Sequence, residues 1–77
     1  MQEQAFKPTG TPLSQFEHIA IEQGELEALR LSDYEGLFQE QAGWRMGVSG
    51  GTVQRLLGSA RKKRAQALFE GAALILK

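Results

Sequence analysis

Cysteine is missing from this 77-residue sequence, and histidine occurs once, at position 18. Without thiols there are no disulfides, no thiolate metal sites and no cysteine nucleophile, and a single imidazole does not make a metal centre. Long apolar runs are missing as well. No stretch nears the ~20 residues needed to span a bilayer, and Met1-Gln2-Glu3-Gln4 has neither the basic nor the apolar region of a signal peptide. An intracellular, cytoplasmic protein without membrane attachment is expected. Net charge is also absent, nine Lys and Arg balancing nine Asp and Glu, which argues against a uniformly basic protein that coats DNA.

What charge there is lies segregated along the chain. Residues 1–40 hold only Lys7 and Arg30 against eight acids, whereas residues 41–77 hold seven Lys and Arg against Glu70 alone. If the fold keeps these halves on different faces, a polyanion meets the C-terminal half. The chain is also short enough to sit near the lower limit for a self-sufficient core, so one domain is expected, with association into a homodimer.

Pro8, Gly10 and Pro12 prevent a helix near the start, so residues 1–13 read as an extended arm or loop. His18-Ile19-Ala20-Ile21 is apolar and partly β-branched, which suits a short strand. From Gln23 to about Leu31 the apolar positions Leu26, Ala28, Leu29 and Leu31 cluster on a helical surface, with Glu25 and Glu27 near its start. Ser32 and Glu35 match a capping box, so either a second helix begins at Asp33, weakened by Gly36, or a separate short turn stands there; Leu37 and Phe38 then lead through Gln41, Ala42 and Met46 into a helix that stops at Gly47. Ser49 is a good N-cap. After it Val53, Leu56, Leu57, Ala60, Arg64, Ala67 and Leu68 follow the stripe of one long helix, with Gly58 a weak point and Gly71 a stop. The run Ala72 to Leu76 then pairs as a strand with His18 to Ile21, or else prolongs the helix. The expected fold is thus a mainly α helix-turn-helix domain of three or four helices with short terminal β-strands, residues 14–77, behind the arm.

Residues Gln39 to Gly58 carry the helix-turn-helix. Two helices that cross at close range need a small residue at the crossing, and Ala42 and Gly43 occupy that place. Gly47 supplies the left-handed backbone of a tight turn. Met46, Val48, Val53 and Leu56 are placed to fill the space around the crossing.

These residues also carry a resemblance. Glu25-Leu26-Glu27-Ala28-Leu29-Arg30-Leu31-Ser32-Asp33, Gln39-Glu40-Gln41-Ala42, Met46-Gly47-Val48-Ser49, Ala60-Arg61-Lys62-Lys63 and Ala67-Leu68-Phe69-Glu70-Gly71 resemble a small prokaryotic family of predicted DNA-binding proteins. Its helix-turn-helix is similar to region 4 of sigma-70 factors, and Phe6-Lys7-Pro8 with Gly10 resembles its N-terminal loop. The resemblance implies double-stranded DNA as partner and transcription regulation as role. Two departures stand out: Ser49-Gly50-Gly51-Thr52 replaces a Ser-Arg-x-Thr pattern, which removes a contact to DNA, and Trp44 stands where a small or polar residue is expected.

By position the first turns of the helix after Ser49 face the major groove, which nominates Ser49, Gly50, Gly51, Thr52, Gln54 and Arg55, with Gly58. Gln54 either pairs with adenine or lies on a solvated face, and Arg55 suits guanine. Ser49 caps the helix; Thr52 caps or reaches a phosphate. Arg61, Lys62 and Lys63, with Arg64, form a basic run that lies beside the phosphates or is a solvated face, and Arg64 alternatively pairs with an acid of the first helix. His18 reads as a strand or surface residue. No catalytic residues, metal or cofactor are assigned, so an enzyme is not expected. The alternative function is a protein-interaction module that keeps the fold without sequence-specific readout, with Trp44 as anchor.

Overall fold

The computed structural model describes residues 17–77. Its elements in chain order are β1 (His18–Ile21), α1 (Gln23–Leu29) running directly into a π-helical turn (Arg30–Tyr34), α2 (Gln39–Met46), α3 (Gly50–Glu70) and β2 (Ala73–Leu76). The described residues are therefore mainly helical, three α-helices with a two-stranded parallel sheet. The arm expected over residues 1–13 lies outside them.

β1 and β2 pair in parallel, His18 opposite Ala73 and Ile21 opposite Leu76. Parallel strands cannot be joined by a hairpin, and here the entire helical region forms the connection. The C-terminal run is a strand and not a longer helix because Gly71 ends α3 at φ 69°. The next N–H, of Ala72, then bonds back to the Ala67 carbonyl at 3.0 Å.

Gly36 decides between the two readings of the stretch after Ser32, in favour of a separate turn. No helix begins at Asp33, and Ser32 is not an N-cap. The chain stays helical past Leu29 by widening into the π turn, with Glu35 N–H donating to the Arg30 carbonyl and Leu37 N–H to the Leu31 carbonyl. Gly36, at φ 79°, ends that turn. Ser32 consequently lies inside the helical run, and its hydroxyl is buried with no partner among the described residues. α2 starts six residues later than Asp33, at Gln39, where the Phe38 N–H donates to the Gln41 side chain at 3.0 Å.

The core forms where α1, α2 and α3 meet. Ala28 and Leu31 from the first helical run, Ala42 from α2, and Val53 and Leu57 from α3 are buried together, with Leu29, Leu37, Met46 and Leu56 packed around them. Further along α3, Ala60 and Ala67 are buried, as are Ile21 and Ala72 at the sheet. Small residues at 60 and 67 let the helix lie close to its neighbours. Leu68, expected on the core stripe, is half-exposed instead, since it falls at the rim of the buried face. Gly58 leaves α3 unbroken: the 21-residue helix is carried by the packing on its other side.

Candidate nucleic-acid interface

α2, the turn and α3 form the expected helix-turn-helix, and the local causes are visible in the backbone. Gly47 takes the left-handed conformation at φ 75°. Its N–H bonds to the Trp44 carbonyl and the Val48 N–H to the Gly43 carbonyl, the paired bonds of a Schellman ending. Ser49 is extended, and its hydroxyl accepts from the Thr52 N–H at 3.1 Å, capping α3. The Thr52 hydroxyl lies 3.0 Å from that of Ser49, so both nominated hydroxyls are engaged with each other. Ala42 and Gly43 are buried as expected. What forbids bulk at Gly43 is backbone: a Cβ there would stand 2.6 Å from the Val48 carbonyl oxygen.

The nominated groove residues lie along one side of α3. Gly51, Gln54, Arg55 and Gly58 are exposed, at the i, i+3, i+4, i+7 spacing of a single helix face, and Lys62 continues it. Arg55 and Lys62 make no ion pair among the described residues. Gly50 is half-buried, and a side chain there would meet the stem of Glu40 in ordinary contact, while one at Gly51 would reach at most the Ser49 hydroxyl. Neither glycine has a positive φ. The fold therefore does not require glycine at either place.

The basic run divides. Arg61 forms two hydrogen bonds to the Asp33 carboxylate, at 3.0 and 2.5 Å, and Arg64 a third at 3.2 Å; Arg64 thus pairs with an acid of the π turn and not of the first helix. Both guanidinium groups, Arg61 first, hold the Asp33 carboxyl below its ordinary range, and Asp33 in turn raises Arg61. Lys63 turns inward to Glu25 at 2.7 Å. Only Lys62 of the nominated trio points to solvent without an ionic partner. Among the described residues, acids of the N-terminal half and bases of the C-terminal half accordingly interlock across α1, the π turn and α3. Within the acidic half itself Arg30 bridges Glu27 and Glu35, and Glu27 raises its affinity for the proton.

An open groove of about 420 Å³, lined by Leu26, Leu29, Arg30, Asp33, Tyr34 and Arg64, lies apart from the turn and the first turns of α3. Among the described residues no three His, Asp or Glu are placed to hold a metal ion. No described helix is long and apolar enough to cross a membrane.

Residues 2–77 match the family described as protein of unknown function DUF134. The chain belongs to that family. A UPF0251 protein of Thermococcus kodakarensis is 71% identical over 52 residues, 68% of this chain and 46% of its own length. One from Vibrio parahaemolyticus is 53% identical over 70 residues, 91% of this chain and 73% of its own, and one from Desulforudis audaxviator 52% over 69 residues, 90% and 45%. This DUF134 chain thus spans about half the length of the Thermococcus and Desulforudis relatives. No solved structure matches it.

A buried polar centre escaped the sequence reading of this DUF134 member. Glu25, placed near the start of the first helix and assigned no role, is 6% exposed. Its carboxylate accepts from the Glu22 N–H, from Lys63 and from the Ser59 hydroxyl. These bonds, the backbone one foremost, bring its pKa from 4.5 down to about 2. The signal was available: Glu25, Ala28 and Leu31 fall at three-residue intervals, so the acid shares the apolar face of its helix.

Proposed function

We propose that this chain is a DNA-binding protein, a transcriptional regulator that inserts α3 into the major groove and acts as a homodimer. The observation that carries the reading is the pairing of a helix-turn-helix with an uncommitted groove face: Gln54 and Arg55 stand exposed on the first turns of α3, and neither side chain is spent on a bond among the described residues. Arg55 suits a bidentate contact to guanine and Gln54 to adenine, each worth about 1 to 3 kcal/mol of discrimination. Lys62 continues the face and supplies affinity through phosphate. Gly50 and Gly51 are glycines that the fold does not demand, and absent side chains there let the helix start approach the duplex closely. Two copies present two such helices, matching half-sites about one helical turn apart.

Selection from random duplex oligonucleotides tests the proposal. Enrichment of a repeated half-site, with binding that weakens as salt rises, is expected. Failure to enrich any sequence, with binding indifferent to salt, overturns it. One observation favours a second reading, that of a protein-interaction module: Trp44 is 86% exposed on α2, and a lone exposed tryptophan suits an interface anchor. Partner binding that ignores salt and is lost in Trp44→Ala would select that reading.

A further inference from the structure

β1 and β2 each spend one edge on the other, so each keeps an outer edge, and the two outer edges differ. In a parallel ladder alternate residues turn their backbone groups toward the neighbouring strand. Ala73 N–H donates to the Glu17 carbonyl and Lys77 N–H to the Ile21 carbonyl, both at 2.9 Å. Residues 73, 75 and 77 therefore face β1, and Leu74 and Leu76 turn their N–H and C=O outward. The same alternation turns Ala20 outward on β1, where its carbonyl accepts from Lys63 Nζ at 2.7 Å. A charged side chain from α3 thus blocks the β1 edge, a device that prevents strand addition. Among the described residues β2 has no such guard. Ala73-Leu74-Ile75-Leu76 contains no charge and no proline, and Ile75 and Leu76 are 37% and 50% exposed. The outward groups of Leu74 and Leu76 find no partner among the described residues.

From this asymmetry we propose that the outer edge of β2 pairs with β2 of a second copy, antiparallel about a two-fold axis, giving a four-stranded sheet. The inference deepens, and rests on, the homodimer proposed above; it does not depend on DNA as ligand. Leu74 of each copy exchanges backbone bonds with Leu76 of the other, and Ile75 meets Ile75 across the axis. This register uses only groups that are unspent. Moving the axis to Leu74 would call on the Ala72 N–H, which already donates to Ala67. Charge agrees with the orientation: antiparallel alignment sets Lys77 opposite Ala73 of the other copy, where parallel alignment would set the two Lys77 side by side. A two-stranded sheet is marginal in water, and doubling it while covering Ile75 and Leu76 relieves that weakness. The contact is the same patch on both copies and closes on itself.

Because the chain has no cysteine, a single introduced thiol reports the register directly. In Ile75→Cys the two thiols would occupy a non-hydrogen-bonded antiparallel pair, with Cα atoms about 4.5 Å apart and within reach of a disulfide. With oxidised glutathione, Ile75→Cys is expected to form a covalent dimer rapidly and Lys62→Cys, on the exposed face of α3, slowly. Sedimentation of the unmodified protein should give a dimer at micromolar concentration. Leu76→Pro removes one outward N–H per copy and leaves the β1 ladder intact, so it should weaken the dimer by about tenfold or more at unchanged helicity. A monomer in sedimentation overturns both the homodimer and its edge. A dimer that tolerates Leu76→Pro and crosslinks no faster through position 75 than through position 62 overturns the edge alone. None of these measurements contains DNA, so the groove reading is judged separately.

Discussion

Lys63 Nζ and Glu25 Oε1 lie 2.7 Å apart, and the same ammonium reaches the Ala20 carbonyl at 2.7 Å. One side chain of α3 thereby holds both α1 and β1. Removing either partner strands the other: Glu25→Gln should cost about 2 to 3 kcal/mol, since a buried charge-assisted pair leaves an uncompensated ion when broken. For a domain of this size that is a fall in Tm of roughly 10–20 °C.

The pH dependence follows from the lowered carboxyl. A group with pKa 4.5 when unfolded and about 2 when folded contributes stability that is fully present above the unfolded value and is lost as pH falls through the folded one. Thermal unfolding should therefore show the native chain losing stability between about pH 5 and pH 2. Asp33 shifts in the same direction, so the difference between native and Glu25→Gln chains isolates Glu25. That difference should shrink toward pH 2; a constant gap would show that the carboxylate charge is not what stabilises the centre.

Two glycines within the helix-turn-helix should respond oppositely to the same substitution. Gly58 has open space around it, so Gly58→Ala should stabilise by about 0.5–1 kcal/mol through helix propensity. Gly43→Ala gains the same propensity, yet its Cβ meets the Val48 carbonyl oxygen, which the Schellman bonds hold in place. Overpacking of this kind costs about 1–3 kcal/mol, so a net loss is expected. Denaturant titration decides it, and a Gly43→Ala chain as stable as the native one would place the turn elsewhere.

Trp44 is the sole tryptophan, which makes its surroundings easy to read. At 86% exposure it should emit as a water-exposed indole and be quenched freely by acrylamide, and Trp44→Ala should change stability by no more than about 0.5 kcal/mol. Protection from the quencher in the isolated protein would mean that the side chain is already covered.

If DNA is the ligand, the basic run should not act as a block. Lys62→Ala should reduce the salt slope of binding by about 1, while Lys63→Ala, whose charge is spent on Glu25, should lower Tm and leave the slope nearly unchanged. Arg55→Ala should cost about 1–3 kcal/mol and relax preference at one base pair. Equal slope changes for Lys62 and Lys63 would contradict this division.

Much of the fold was legible because local chemistry and packing agree there. Ser49 and Gly71 bound α3 as their types dictate, Gly47 turns the chain, and the small Ala42 and Gly43 mark the close approach. The stretch after Ser32 was open between a helix start and a separate turn because a capping pattern also fits inside a continuous helix, and only the π turn with Gly36 distinguishes the two. Burial of Glu25 was not legible from its place near a helix start, because its partners Ser59 and Lys63 are remote in sequence. For the same reason Arg61 and Lys63 read as free cations until their acids were brought beside them. Positions such as Gln54 and Arg55 were located by helix phase alone, which sequence does carry.

The parallel pairing of His18 with Ala73 has a consequence for the order of assembly. A loop of roughly 50 residues must close before the first of those bonds forms, at an entropic cost of about 3.5 kcal/mol from its length alone. The helices, whose contacts are closer in sequence, gain nothing by waiting for it. The sheet is thus a latch that engages last and releases first, so its amide protons should exchange ahead of those at Val53 and Leu57. The core at Val53 and Leu57 thus stays shut while the ends of the chain open and close.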